Sequence, residues 1–192
     1  MATLKRGFKS WSERVAAAIR VELGIAQQAP LPARRLADHL DVAVITPHDI
    51  PAMPVDVLKQ LTETDRYGWS AVSFTKNGAT TIIHNPSNSS GRQSSDLMHE
   101  LSHIILEHEP SQLILSETGQ FAMRSFNAKQ EDEANCLGWT LLLPRSALAH
   151  CIARRLSSSA IAHEYQVSQT LVAYRRRVTG VDLQDVRRRK TS

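Results

Sequence analysis

Residues 95–109, SDLMHELSHIILEHE, constrain this chain more than any other stretch, because they set a charged pentapeptide inside an otherwise apolar helical pattern. Leu97, Met98, Leu101, Ile104, Ile105 and Leu106 leave little of the helix circumference polar, so the helix is expected to lie inside the protein. Ser94, Ser95 or Asp96 can cap its start, and Pro110 is expected to end it. Polar groups carried into such a place are costly unless they find partners. His99, Glu100 and His103 must therefore be engaged with something, and their spacing says with what.

Two histidines four apart on a helix lie about 40° apart around the axis and about 6 Å along it, so both imidazoles of the HExxH sequence His99-Glu100-Leu101-Ser102-His103 can reach one ion. Zinc takes such neutral nitrogen ligands. Glu100, next to the first histidine, projects toward the ion's open position, where a carboxylate can accept a proton from water. A third protein ligand is needed. Glu107 continues the histidine stripe but lies about 12 Å along the axis from His99, and His108 fails as a ligand for the same reason. The ligand must come from another element. The helix expected over 127–143, containing KQEDEANCLGWTLLL and stopped by Pro144, offers one. Glu131, Ala134, Asn135 and Gly138 share a face, and the small Ala134 and Gly138 allow a close approach to the first helix. Glu131 is the first choice of ligand, Glu133 the second and Asp132 the third, with Asn135 placed to bond a ligand histidine from behind.

Around these two helices the pattern is mixed, and the expected fold is α+β: mainly helical, with a small antiparallel hairpin beside the buried HExxH helix and the second ligand-bearing helix. Helical periodicity marks 11–23, 33–40 and 55–62, and shorter helices are expected over 145–156, 159–165 and 169–177. WSAVSFT and ATTIIHN, joined through Lys76, Asn77 and Gly78, read as a hairpin, because Asn-Gly supplies the two left-handed positions of a tight turn. NPSNSSGRQSS then reads as a polar loop, and 111–127 as an irregular loop or lid. The expected organisation is an N-terminal helical segment (1–62), a metal-bearing core (63–156), a pair of helix-turn-helix-like helices (157–180) and a basic tail (181–192).

With 42 % hydrophobic and 22 % charged residues over 192 positions, collagen-like, fibrous and disordered classes are excluded. No run of about eighteen apolar residues is present to span a membrane. The opening MATLKRGFKSWSERVAAAIRVELG alternates apolar and charged residues where a secretory signal needs an unbroken apolar stretch, so a cytoplasmic protein is expected. Cys136 and Cys151 form no CxxC pair and are expected to be free packing thiols.

HELSHIILEH, then EDEAN, then LLLP resembles the ImmA/IrrE family of zinc metallopeptidases, cytosolic proteins of bacteria and their mobile elements. GFKSWSERVAAAIRVELG, the hairpin with WSA, the NP loop followed by Arg92-Gln93 and the late VSQTLVAYR stand in the same order as in that family. The chain departs at Cys136, Leu137 and Gly138, where many relatives carry a small residue, Phe and Ala. The resemblance implies a minimal zincin-like core in which His99, His103 and Glu131 bind zinc and Glu100 acts as base. It implies a protein substrate too, a helix-turn-helix repressor whose cleavage releases genes for stress response or element transfer.

Other features carry a different class of function. SSSAIAHEYQVSQTLVAYRRR resembles a helix-turn-helix, with Gln169 and Thr170 opening a recognition helix and Arg175 to Arg177 available for phosphates. On that alternative the protein is a DNA-binding or repressor-binding regulator, and the metal site is structural or inactive. For an oxyanion stabiliser the sequence offers Tyr67, His84, Arg92, His163 and Tyr165 without choosing among them.

Overall fold

Two helices crossing at a glycine form the centre of the computed structural model, which describes residues 4–108, 113–115, 121–123 and 127–191. The first four helices and strands are α1 (Phe8–Glu22), α2 (Ala33–His39), β1 (Val42–Ile45) and α3 (Val55–Lys59), the last continuing as a π-helical turn over Gln60–Thr64. Next come β2 (Ala71–Lys76), β3 (Ala79–His84), α4 (Ser90–Ile105), β4 (Leu113–Leu115), β5 (Phe121–Met123) and α5 (Ala128–Leu142). The chain then runs through α6 (Arg145–Ala153), α7 (Ser158–Glu164), α8 (Gln169–Thr179) and α9 (Val181–Thr191). The architecture is α+β and mainly helical, as the sequence predicts.

The hairpin forms as expected. β2 and β3 pair antiparallel from Ala71↔His84 to Lys76↔Ala79, and Asn77 and Gly78 take φ of 53° and 81°, the double left-handed turn that fits the twist of the strands. The sheet has a third strand that the sequence reading lacks. Val42–Ile45 pairs parallel to β3, from Val42↔Thr80 to Ile45↔Ile83, giving the order β1-β3-β2. Four residues before Pro47 are too short to show a period, and a parallel partner is never local. Residues 111–127 are not wholly irregular either: β4 and β5 pair antiparallel, while the rest of that segment lies outside the described residues.

One hydrophobic core runs from Ala16 of α1 through Leu97, Met98 and Leu101 of α4, Leu137 and Leu141 of α5, and Val172 of α8 to Val181 of α9. Residues 181–191, expected as a basic tail, are helical. The end of α5 shows how its position is fixed. Pro144 stops the helix, and its last carbonyls need donors. Arg20, fully buried in α1, donates to the Leu141 oxygen at 2.8 Å, and Arg175 of α8, also buried, donates to the Leu143 oxygen at 2.9 Å. Burial lowers the Arg20 pKa to about 10, opposed by the fields of Tyr165 and Glu13. Arg175 also bonds Thr140 Oγ1 and pairs with Glu13 of α1. α5 is thus tied from both sides.

Cys136 and Cys151 are both buried and unpaired, and burial raises both thiol pKa values. Since only thiolates react quickly, a thiol-specific reagent is expected to label neither in the native protein and both after denaturation. Fast native labelling of either would contradict this packing. Among the described residues no single helix is long and apolar enough to cross a membrane.

Candidate metal centre

α4 begins at Ser90 rather than near residue 95, so the last part of the polar stretch NPSNSSGRQSS is helical. Ser89 is the N-cap, and Gln93 holds the entry by donating to the Pro86 and Asn88 carbonyl oxygens. The helix also ends earlier than Pro110 requires. Glu107 adopts φ 52°, its N–H bonds the Ile104 oxygen and the N–H of His108 bonds the His103 oxygen, both at 3.0 Å. This pair of bonds is a Schellman ending, here with a non-glycine residue in the left-handed position. It folds His108 back over His103.

α5 lies against α4, and Gly138 faces the α4 backbone in the seam between them. A Cβ there would come within 3.2 Å of the Met98 carbonyl oxygen and 3.2 Å of Ser102 Oγ. Ala134 is fully buried in the same seam. About three turns before the crossing, Asn127 caps α5 by accepting from the Lys129 and Gln130 N–H groups, and Glu131 follows in the first turn.

The result is a convergence of three side chains. Glu131 Oε2 lies 3.2 Å from His99 Nε2 and Glu131 Oε1 lies 3.5 Å from His103 Nε2, while the two Nε2 atoms are 3.1 Å apart. One ligand atom from each residue lies within 4.8 Å of the other two, a group that can hold a metal ion. Burial, reinforced by His99 and His108, pushes the His103 pKa down to about 4, so this imidazole is neutral near pH 7 and keeps a lone pair for a cation. Two imidazoles and a carboxylate match the donor chemistry of a catalytic metal that keeps a further position open.

Glu100 stands beside this group. Its carboxylate Oε2 accepts a 2.6 Å hydrogen bond from Ser73 Oγ of β2, which fixes its direction. Burial raises its pKa, opposed by the Ser73 hydrogen bond and the field of His99. A carboxylate with a raised proton affinity, held next to a cation site, is suited to move protons.

Of the expected residues, His99, Glu100, His103 and Glu131 meet. Asn135 does not join them: it lines a cleft of about 390 Å³ with Lys5, Lys9 and Trp139. Asp132 borders the same cleft. Glu133, the second-choice ligand, reaches His108 instead, Oε2 to Nε2 at 3.4 Å, and His108 Nδ1 lies 2.9 Å from His103 Nδ1. Sequence reasoning missed His108 and Ser73 as neighbours of the site. The signal for His108 was its place just beyond the helix end, where a left-handed residue reverses the chain; for Ser73 nothing local pointed to α4.

The candidate oxyanion groups separate. Tyr165 is buried with its hydroxyl donating to the Gln28 carbonyl oxygen, and His84 is buried with Nε2 2.8 Å from the Arg34 guanidinium. Arg92 donates to Ser70 Oγ at 3.1 Å and faces Asp96. In the α7–α8 corner, Arg175 is committed to Glu13 and Thr140, Arg176 pairs with Asp182, and Arg177 lies over the Tyr174 ring.

A sequence profile described as the IrrE N-terminal-like domain of the M78 peptidases matches residues 52–177. No curated protein matches the chain.

Proposed function

The chain belongs to the M78 peptidase family, of the IrrE N-terminal-like type, and from that premise we propose that it is a zinc-dependent endopeptidase that cuts a helix-turn-helix repressor in the cytoplasm. The observation that carries the reading is the convergence of His99, His103 and Glu131 with Glu100 at its edge. When bound by those three side chains, zinc would polarise a peptide carbonyl and acidify water. Glu100 then has the work of a proton carrier. Its carboxylate would take a proton from the attacking water and pass it to the amine nitrogen that leaves, while the Ser73 hydroxyl holds Oε2 in place. The repressor as substrate rests on the resemblance to the ImmA/IrrE family, and its cleavage would release genes for stress response or element transfer.

Incubation with zinc and the helix-turn-helix regulator encoded nearest to this chain tests the proposal. A discrete fragment is expected with the wild-type protein, and none after chelation. An intact regulator after prolonged incubation with the zinc-loaded protein would reject the repressor as substrate. Protein isolated without chelators is expected to carry about one zinc per chain.

The alternative role for the C-terminal helices would draw on Arg175 to Arg177 for phosphates, and Arg177 is the exposed one of the three. Phosphate contacts need free cations, and Arg175 and Arg176 are engaged within the protein.

A further inference from the structure

The chain from His103 through His108 to Glu133 plays no part in the reaction as described, yet its geometry is specific. A neutral imidazole has one N–H and one lone pair, and the partner of one nitrogen decides the role of the other. For His103 to turn a lone pair at Nε2 toward Glu131 and His99, its proton must sit on Nδ1. The atom facing Nδ1 is His108 Nδ1, at 2.9 Å. That contact is a hydrogen bond only if His108 accepts there, which places the His108 proton on Nε2. His108 Nε2 in turn faces the Glu133 carboxylate at 3.4 Å, an acceptor with no proton to give. The three residues therefore agree on a single arrangement of protons, ending on a fixed negative charge. The His108 side chain is only 7 % exposed and that of Glu133 14 %, so water competes little for these contacts. Backbone geometry holds the rings together: the Schellman bonds place His108 one reversed turn beyond His103, with ring centroids 5.0 Å apart.

We propose that His108, anchored by Glu133, is a positioning residue that fixes the tautomer and ring orientation of His103 for metal binding. The proposal rests on the reading of His99, His103 and Glu131 as a zinc site. Partners behind a ligand histidine commonly change metal affinity by about 10–100-fold.

The test is zinc affinity, measured by competition with a chromophoric chelator, on the full chain and its variants. His108→Phe keeps a ring in the packed position but has no nitrogen, and is expected to weaken zinc by about 10–100-fold. His108→Gln offers an amide oxygen to His103 and an amide N–H to Glu133, and is expected to recover most of that loss. Long-range ¹⁵N NMR of the unmodified zinc-loaded protein should find the His108 proton on Nε2. Wild-type affinity in His108→Phe would overturn the proposal while leaving the zinc site standing, and so would a His108 proton on Nδ1. Failure of the wild-type chain to bind zinc would remove the site and this role together.

Discussion

Replacing Glu100 by Gln is expected to lower peptide cleavage by about 10²–10⁴-fold, the usual contribution of a positioned acid–base group, while zinc content stays at the wild-type level. The two readouts separate because Glu100 is not among the three residues that converge. Gln keeps the size of the side chain and an oxygen that can accept the Ser73 hydrogen bond, so the local packing survives. It cannot take a proton and hand it on. Stability is expected to be unchanged or slightly higher, since burial already disfavours charge at this position. Measurements of kcat, KM, bound zinc and the thermal midpoint together define the outcome. A variant that cleaves at the wild-type rate would remove Glu100 from the reaction, and one that loses its zinc would show a structural role instead.

The second large effect is expected far from any proton. Gly138→Val should destabilise the fold by about 1–3 kcal/mol, the usual cost of forcing extra methyl groups into a packed seam, and should weaken zinc binding as well. Valine gains only a few tenths of a kcal/mol of helix propensity over glycine, too little to offset the overlap. A Cβ already meets the Met98 carbonyl oxygen and Ser102 Oγ at 3.2 Å. The first is helix backbone. The second is held by its own 2.7 Å bond to the same carbonyl. Neither can yield without moving α5, and α5 carries Glu131 two turns away. Gly138→Ala, with one added carbon and about 1 kcal/mol of propensity in its favour, is expected to fall near neutrality. Denaturant titration and chelator competition on both variants distinguish the two. Wild-type stability and zinc affinity in Gly138→Val would show that the glycine does not set the spacing of the helices.

The site was legible in the sequence wherever chemistry is carried by local spacing. Two histidines one helical turn apart face the same way in any α-helix, so His99 and His103 are paired by the sequence alone. Glu131 was reachable because the small residues Ala134 and Gly138 on its own face marked where α5 meets α4. The Asn-Gly turn fixed the hairpin by the same kind of local rule, since few other residues tolerate its positive φ values.

What the tertiary structure alone decided is set by partners distant in sequence. The short strand β1 has no period of its own and exists by pairing with β3. Arg20 and Arg175 look like surface cations along the chain, yet both are buried because the last carbonyls of α5 need donors that only other helices can bring. Asn135 shares a helix face with Glu131 on paper, but it lines a cleft with Lys5 and Lys9 of the N-terminal segment, which only the tertiary structure brings there. His108 lies too far along the axis to be a ligand, and becomes the neighbour of one when a left-handed residue reverses the chain. Local spacing determines which atoms of one helix can act together. Which atoms of two helices meet depends on how closely their backbones approach, and here that distance is set by the face of a glycine against a carbonyl.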